Sequence, residues 1–446
     1  MLARLLELLG RLRPMTLVAV GAAGGIGAAI LLWAVVARPP YLEIAVSRQA
    51  AQEAAEQAAR EQQAAREAAE QAASEQQAAR EAAEQAAREQ QAAQEAAEQA
   101  QQATRGLPSG PPSPLADSRT LEILYATNRA MDRSGARLEY TSDRAHELSF
   151  GIARVQLPNN HREGAIERPW RFRILAFEIG TSEDPKKHFT LRGLQELDRD
   201  AFIDTIKEAK RDTALVFVHG YNNKFDDGVF RIAQIVWDGQ LFDTVVPVLY
   251  SWPSKGHTKD YLYDEDSADA SVDNFIDLLQ VLQMHSGIKR VHIIAHSMGN
   301  RIILNAMTRA AKPQSLAEVV FAAPDVDRDV FVQLAEKLRT ITKGMTLYAS
   351  AADKPLELKG WLASMPRAGD VTKDGPVIVK GVESIDMSVM GNDLLALNHS
   401  TFAASPVIED IASLVRTGQH PPTLRTSRIR AVPERAATPR YWRYSP

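Results

Sequence analysis

The sequence predicts an α/β domain, with a mostly parallel sheet covered by helices on both faces, preceded by a membrane-spanning helix and a long Ala/Gln/Glu-rich helical stalk. Three observations predict it. From residue 214 onward, short apolar runs alternate strictly with stretches of helical periodicity; residues 16–37 carry no charge; and residues 47–102 repeat a 14-residue unit. Strand–helix alternation brings consecutive strands side by side in parallel, with each connecting helix laid across a face of the sheet.

Length and composition bound the possibilities. A chain of 446 residues has room for about three units. A net charge of only -4 does not point to nucleic acid as a partner, and the absence of Cys excludes a disulfide, a thiolate nucleophile and a Cys-ligated zinc. No metal-ligand spacing appears, because the Asp runs lack the Gly and the terminal Glu of a calcium loop. No cofactor is expected.

In chain order, residues 1–15 form a short N-terminus with Arg4, Arg11 and Arg13 among leucines. Residues 16–37 would span about 33 Å as a helix, against a hydrocarbon core of about 30 Å. The apolar run is long for a cleaved signal peptide, so an uncleaved signal-anchor is expected, although Val35-Val36-Ala37 would be a tolerable cleavage site. Three Arg before the span favour a cytoplasmic N-terminus, and Arg38 and Arg48 after it weaken that bias. The expectation is a single-pass inner-membrane protein whose domain lies on the periplasmic side. Gly21, Gly25 and Ala29 fall four apart, a small-residue face on which two such helices can pack.

Residues 38–105 are the stalk. Ala58, Ala65, Ala72, Ala79, Ala86, Ala93 and Ala100 lie seven apart, so the repeat is two heptads long. Every residue type in it favours helix, and a straight helix over 47–102 would reach about 84 Å. The second seam position alternates Glu61, Ala68, Glu75 and Ala82. A parallel coiled coil and a solvated single helix therefore both remain open. Residues 106–118 are a Pro/Gly linker and mark a boundary. Residues 119–418 form the α/β domain, and residues 419–446, with six Arg and no periodicity, read as a disordered basic tail.

Within the domain, Ile123–Thr127, Phe150–Leu157 and Phe172–Ile179 read as strands. Strand–helix pairs follow: 214–218 with a helix at 226–238, 245–250 with 268–284, 291–295 with a helix from Asn300, and 319–322 with 329–339. The series continues with 345–349 and a helix at 355–364, then 377–385 and a last helix at 404–416. The stretch from Ser254 to Ser271, with Tyr261, Tyr263, Asp264, Glu265 and Asp266, could rim a pocket, but an ordinary solvated loop is the favoured reading.

The chemistry is carried by Val291-His-Ile-Ile-Ala-His-Ser297-Met-Gly-Asn300. A buried strand runs into a sharp turn centred on Ser297, and helical spacing resumes with Ile302, Ile303 and Ala306. This is the context of a nucleophile elbow, in which small residues flank the serine because strand and helix backbones approach closely. Gly299 is one; Ala295 stands where the usual pattern has Gly. In folds that carry such an elbow, an acid and then a histidine follow on later strands. His399 follows the last strand and is expected to be the base. Asp353 follows 345–349 and is the first choice of acid, in competition with Asp325 and Asp386. Asp325, Asp327 and Asp329 also read as caps at a helix start. The oxyanion donors would be the N–H groups of Met298, next to the serine, and of Tyr221, after the strand at 214–218. His219 is expected to hold that turn by hydrogen bonds.

His-Gly-Tyr-Asn-Asn (219–223), Tyr-Ser-Trp-Pro-Ser (250–254), Ala-His-Ser-Met-Gly-Asn (295–300), Tyr-Ala-Ser-Ala-Ala-Asp (348–353) and Asn-His-Ser (398–400) occur in this order, after an opening Tyr-Ala-Thr-Asn-Arg (125–129). Over about 120–418 the chain resembles the esterase/lipase-like α/β-hydrolase family of uncharacterised function. The resemblance implies an α/β-hydrolase fold and a serine hydrolase of open substrate, and makes Ala295 an ordinary variant. The expected activity is hydrolysis of a small ester or acyl substrate through an acyl-enzyme. The alternatives are a non-catalytic interaction protein on a stalk and, among enzymes, an acyltransferase or amidase/peptidase.

Overall fold

In the computed structural model the described residues are 119–446, apart from 136–137, 170, 175–176, 256–259, 311–315, 352–365, 391–404, 435 and 437. The expected anchor, stalk and linker, the helix at 355–364, Asp353 and His399 lie outside the described residues. Among the described residues, no helix is long and apolar enough to cross a membrane.

The chain enters through two long antiparallel strands, β1 (Thr120–Asp132) and β2 (Glu139–Gln156), a hairpin of β3 (Arg171–Ile174) and β4 (Phe177–Gly180), and β5 (Thr190–Leu197). After helix α1 (Arg199–Glu208), the alternation read from the sequence appears. Strand β6 (Thr213–Val218) leads to α2 (Phe225–Asp238), and β7 (Val246–Ser251) to α3 (Tyr261–Ala270) and α4 (Val272–Gln280). Then β8 (Arg290–His296) leads to α5 (Gly299–Arg309), β9 (Leu316–Ala322) to α6 (Arg328–Leu338), and β10 (Thr342–Ala349) to β11 (Glu383–Asp386) and α7 (Ser405–Thr417). The helix expected at 268–284 is broken at Ser271 and ends in a π turn, 281–285. The strand expected at 377–385 is confined to its last residues.

An eleven-stranded sheet has the order β12-β13-β11-β10-β9-β8-β6-β7-β1-β2-β5, in which β12 (Ile429–Val432) and β13 (Tyr441–Tyr444) come from the end of the chain. Every pairing from β1 through β7, β6, β8, β9, β10 and β11 to β13 is parallel. Antiparallel partners close both edges. The central strands are buried on both faces, which is why they read as continuous apolar runs. On one face Val216, Ile293, Val319 and Leu347 pack under α1, α4, α5 and α6. On the other, Leu215, Phe217, Ile294 and Val320 pack under α2 and α7.

Residues 419–446 correct the sequence reading, because they are part of the fold. The Arg425 guanidinium is buried, donating to both oxygens of buried Asp410 at 2.8 and 3.0 Å and to Glu383 at 2.9 Å. His420 lies between Glu318 (3.2 Å) and Glu383 (2.9 Å), and Arg443 pairs with Asp386 at 2.9 Å. Strands of four residues are too short to show a period, and an Arg bound for a buried carboxylate has the same composition as one bound for water.

The hydrogen bonds to Glu318 and then Glu383 push His420 up to about 9, against the opposing effect of burial. A folded pKa above the unfolded value of about 6.5 stabilises the fold fully below pH 6.5, and that contribution is lost as pH rises through about 9. Urea unfolding from pH 6 to 10 should show a decline in the wild type that is smaller in His420→Gln by on the order of 1–2 kcal/mol, the remainder including the contribution of His161, which is also raised to about 9.

Candidate active site

Strand order places the site. From β6 the chain moves outward to β7 on one side, then returns to lay β8 against the other side of β6. The carboxyl ends of β6 and β8 therefore flank the point where the winding reverses, the place where open α/β sheets leave a crevice for ligands. The turn His219-Gly220-Tyr221 follows β6, and Ser297 follows β8.

Ser297 has φ 50°, a left-handed conformation that non-glycine residues seldom adopt and that costs about 1–3 kcal/mol. The surrounding bonds impose it. The Ser297 N–H donates to Ala322 O (3.0 Å), and the Ser297 carbonyl accepts from Asp325 N (3.1 Å), Asn300 N (3.2 Å) and Asn300 Nδ2 (2.9 Å). Asn300 Nδ2 also reaches Ala295 O at 3.0 Å, tying strand to helix across the turn. Ser297 itself stays partly exposed between buried His296 and Met298.

The small residues have the reason expected of them. A Cβ on Gly299 would lie 2.5 Å from His219 O and 2.8 Å from Val218 O, and one on Gly220 2.7 Å from His296 Nδ1 and 2.8 Å from Ser297 Cβ. The turn after β6 thus lies directly against the elbow. Met298 N–H belongs to the first turn of α5, where N–H groups lack intrahelical acceptors, and Tyr221 is the next residue after Gly220. Ser297, Met298 and Tyr221 are brought together. Because the Gly299 clash is with backbone, Gly299→Ala should destabilise the domain by about 1–3 kcal/mol in urea unfolding; a change below about 0.5 kcal/mol would show that the approach is looser.

His219 behaves as expected. Its Nδ1–H donates to Gly220 O (2.8 Å), its Nε2 faces Ser251 Oγ (3.2 Å), and its ring stacks on Trp252, whose Nε1 donates to His219 O at 2.8 Å. Burial, with Arg129 nearby, drives its pKa well below 6.5, so it is neutral. Burial also lowers His296 to about 3 and His292 to about 4.

The two competing acids are engaged elsewhere. Asp325 accepts from Tyr261 Oη at 2.8 Å and lies 3.2 Å from Arg367 Nε. Among the three aspartates expected as caps, Asp327 is the one that caps α6, through Asp329 N and Val330 N. Asp386 holds Arg443 and accepts from Ser388 N and Oγ.

Asp353 and His399 lie outside the described residues, and only the stretches flanking them are described. Ala351 follows β10, and residues 366–369 return beside Pro324–Arg328, through Arg328 N to Pro366 O, Ala368 N to Val326 O and Gly369 N to Pro324 O. Near the end of helix α7, Arg416 donates to Gly239 O after the end of α2.

The sequence reading missed several residues around the site. The stretch that reads as a solvated loop in preference to a pocket rim holds α3, with Tyr261 and Asp264 buried and the Tyr261 ring against Tyr221 at 5.3 Å. Arg129 is buried beneath the turn after β6. The motifs at 125–129 and 250–254 were the available signal, though they carried no role. Among the described residues, no group of three or more His, Asp or Glu is placed to hold a metal ion.

A mostly parallel sheet with a strained strand–turn–helix at its switch point defines an α/β hydrolase. The chain belongs to the family described as alpha/beta hydrolase of unknown function (DUF900), whose model matches residues 195–417. Among solved structures, it is similar to a lipase-esterase related protein from Clostridium acetobutylicum ATCC 824, at 17% identity over 46% of this chain and 94% of that one, with a TM-score of 0.26. It is also similar to a presumed cell-surface hydrolase from Lactobacillus plantarum WCFS1, at 14% identity over 48% and 96%, with a TM-score of 0.27. No curated protein matches the chain.

Proposed function

We propose that the protein is a serine hydrolase that cleaves carboxylic esters through an acyl-enzyme. The observation that carries this reading is Ser297 itself, held at φ 50° on the turn between β8 and α5, with Gly220 packed against it. A backbone strained at one serine, over-determined by four hydrogen bonds, is what presents an Oγ to a substrate.

In the proposed cycle Ser297 Oγ attacks the ester carbonyl while His399 takes its proton. The oxyanion of the tetrahedral intermediate is met by the N–H groups of Tyr221 and Met298. Collapse expels the alcohol, protonated by His399, and water then repeats the sequence to release the acid. Asp353 orients the imidazole and stabilises its cation. The choice of Asp353 is supported by the competing aspartates, Asp325 and Asp386, which already hold other partners.

The proposed setting is an inner-membrane anchor at 16–37, with the domain carried on the stalk outside the cytoplasm and the stalk and anchor pairing two copies in parallel. A periplasm-dependent reporter fused after Pro446 should be active; activity of a cytoplasm-only reporter there would reverse the topology.

The activity is tested with a fluorophosphonate probe and a panel of p-nitrophenyl esters on a chain that includes 419–446, since Arg425 and β13 belong to the fold. Ser297-dependent labelling and turnover are expected. A folded protein that neither labels nor turns over any ester would favour the non-catalytic interaction role.

A further inference from the structure

We propose that Arg129 and Asp264 are positioning residues for the oxyanion turn, holding it in the geometry the transition state needs. The inference rests on the reading of Ser297 as nucleophile and of Tyr221 N–H as an oxyanion donor. It concerns residues to which the motif gave no role, and Arg129 lies outside the family match at 195–417.

Arg129 sits where β1 runs past the end of β7. The β1–β2 pairing shifts register on both sides of it, and such irregularities re-aim side chains at the edges of sites. The residue is 1% exposed. Its Nε donates to Ser251 Oγ (2.9 Å), one terminal nitrogen to Thr141 O (3.2 Å) and Ser254 O (3.1 Å), and the other to Asn223 O (2.8 Å), with His219 Nε2 at 3.3 Å. Among the described residues, no carboxylate forms an ion pair with it. Burying this cation is costly, and the cost is offset by its hydrogen bonds and by the nearby negative charge of Asp264. Here the guanidinium bonds to the loops after β6 and β7, and the turn after β6 packs against Ser297 through Gly220. Burial lowers its pKa to about 10, so it is charged at neutral pH.

Asp264 completes the frame from the other side. Fully buried on α3, it accepts from Ser254 Oγ (2.5 Å), Lys255 N (2.8 Å) and Asn222 N (3.2 Å). Ser254 Oγ in turn accepts from Asn223 N at 3.1 Å. The amides of Asn222 and Asn223 and the carbonyl of Asn223 are thereby all fixed, with Asn222 held at φ 59°. On the other side of Tyr221, His219 fixes the Gly220 carbonyl. The Tyr221 peptide lies between two anchored points, and its N–H direction follows from them. An N–H aimed in advance strengthens binding of the tetrahedral oxyanion more than that of the planar ester, so the frame acts on kcat.

The test compares the full-length wild type with Arg129→Met, Arg129→Lys, Asp264→Asn and Ser297→Ala, at a temperature well below each measured Tm. Turnover of a p-nitrophenyl ester is read with the affinity for an aryl boronic acid, which forms a tetrahedral adduct on serine. Arg129→Met should lose about 100-fold in kcat with KM within about 3-fold, and boronate affinity should fall in parallel. Arg129→Lys should recover part of that loss. Should Arg129→Met fail to fold, Arg129→Lys and Asp264→Asn carry the test through the same kcat-selective pattern at about 10-fold. Folded variants with kcat within about 3-fold of wild type, or a loss confined to KM, would overturn the inference while leaving the nucleophile intact. A wild type without Ser297-dependent turnover would overturn both readings.

Discussion

Ser297→Ala is expected to abolish fluorophosphonate labelling and to lower ester turnover by about 10⁴-fold or more, with Tm essentially unchanged or slightly raised. The size of the loss follows from the role. Without Oγ no acyl-enzyme forms, and only the oxyanion donors and substrate binding remain to accelerate direct attack by water. The fold should tolerate the change, because the hydrogen bonds that shape the turn are made by the Ser297 N–H and C=O and by Asn300. His399→Ala should cost about as much as Ser297→Ala, and the double variant little more than either, since residues acting as one unit are not additive. Full hydrolysis and labelling in Ser297→Ala would remove the centre of the proposal.

Asp353→Asn is expected to lower kcat by about 10²–10⁴-fold, well beyond the effect of Asp325→Asn or Asp386→Asn on activity. The reason lies in the partners already assigned. Asp325 is committed to Tyr261 and Arg367, and Asp386 to Arg443 and Ser388. Replacing Asp325 breaks a nearly buried ion pair and replacing Asp386 a half-exposed one, so these two variants should register mainly as lower Tm. A greater activity loss in Asp386→Asn than in Asp353→Asn would reassign the acid. The pH profile adds an independent reading. A neutral His399 is needed to accept the serine proton, so kcat/KM should fall on the acid side with a midpoint of about 6.5. Such a limb would not arise from His219, His292 or His296, whose pKa values burial has driven down, nor from His161 and His420, held up to about 9 by paired carboxylates.

The fold class and the elbow were legible because both are written locally. A buried parallel strand must be an unbroken apolar run, its crossover helix must show helical period, and a turn in which a Cβ on Gly299 would lie 2.5 Å from a backbone oxygen admits little but glycine. Those constraints act over a few consecutive residues, and they sufficed for β6 to β10 and for α5.

What only the tertiary structure decided is where the charged residues go. Arg129 meets Ser254 across 125 positions and Asn223 across 94, and Tyr261 meets Asp325 across 64. Arg425 and His420 turn a tail that read as solvated into the edge of the sheet by finding Asp410, Glu383 and Glu318. Hydrophobic residues announce burial by their own chemistry and spacing. An Arg, Asp or His is buried only if distant partners satisfy it, and those partners become neighbours only once the sheet has formed.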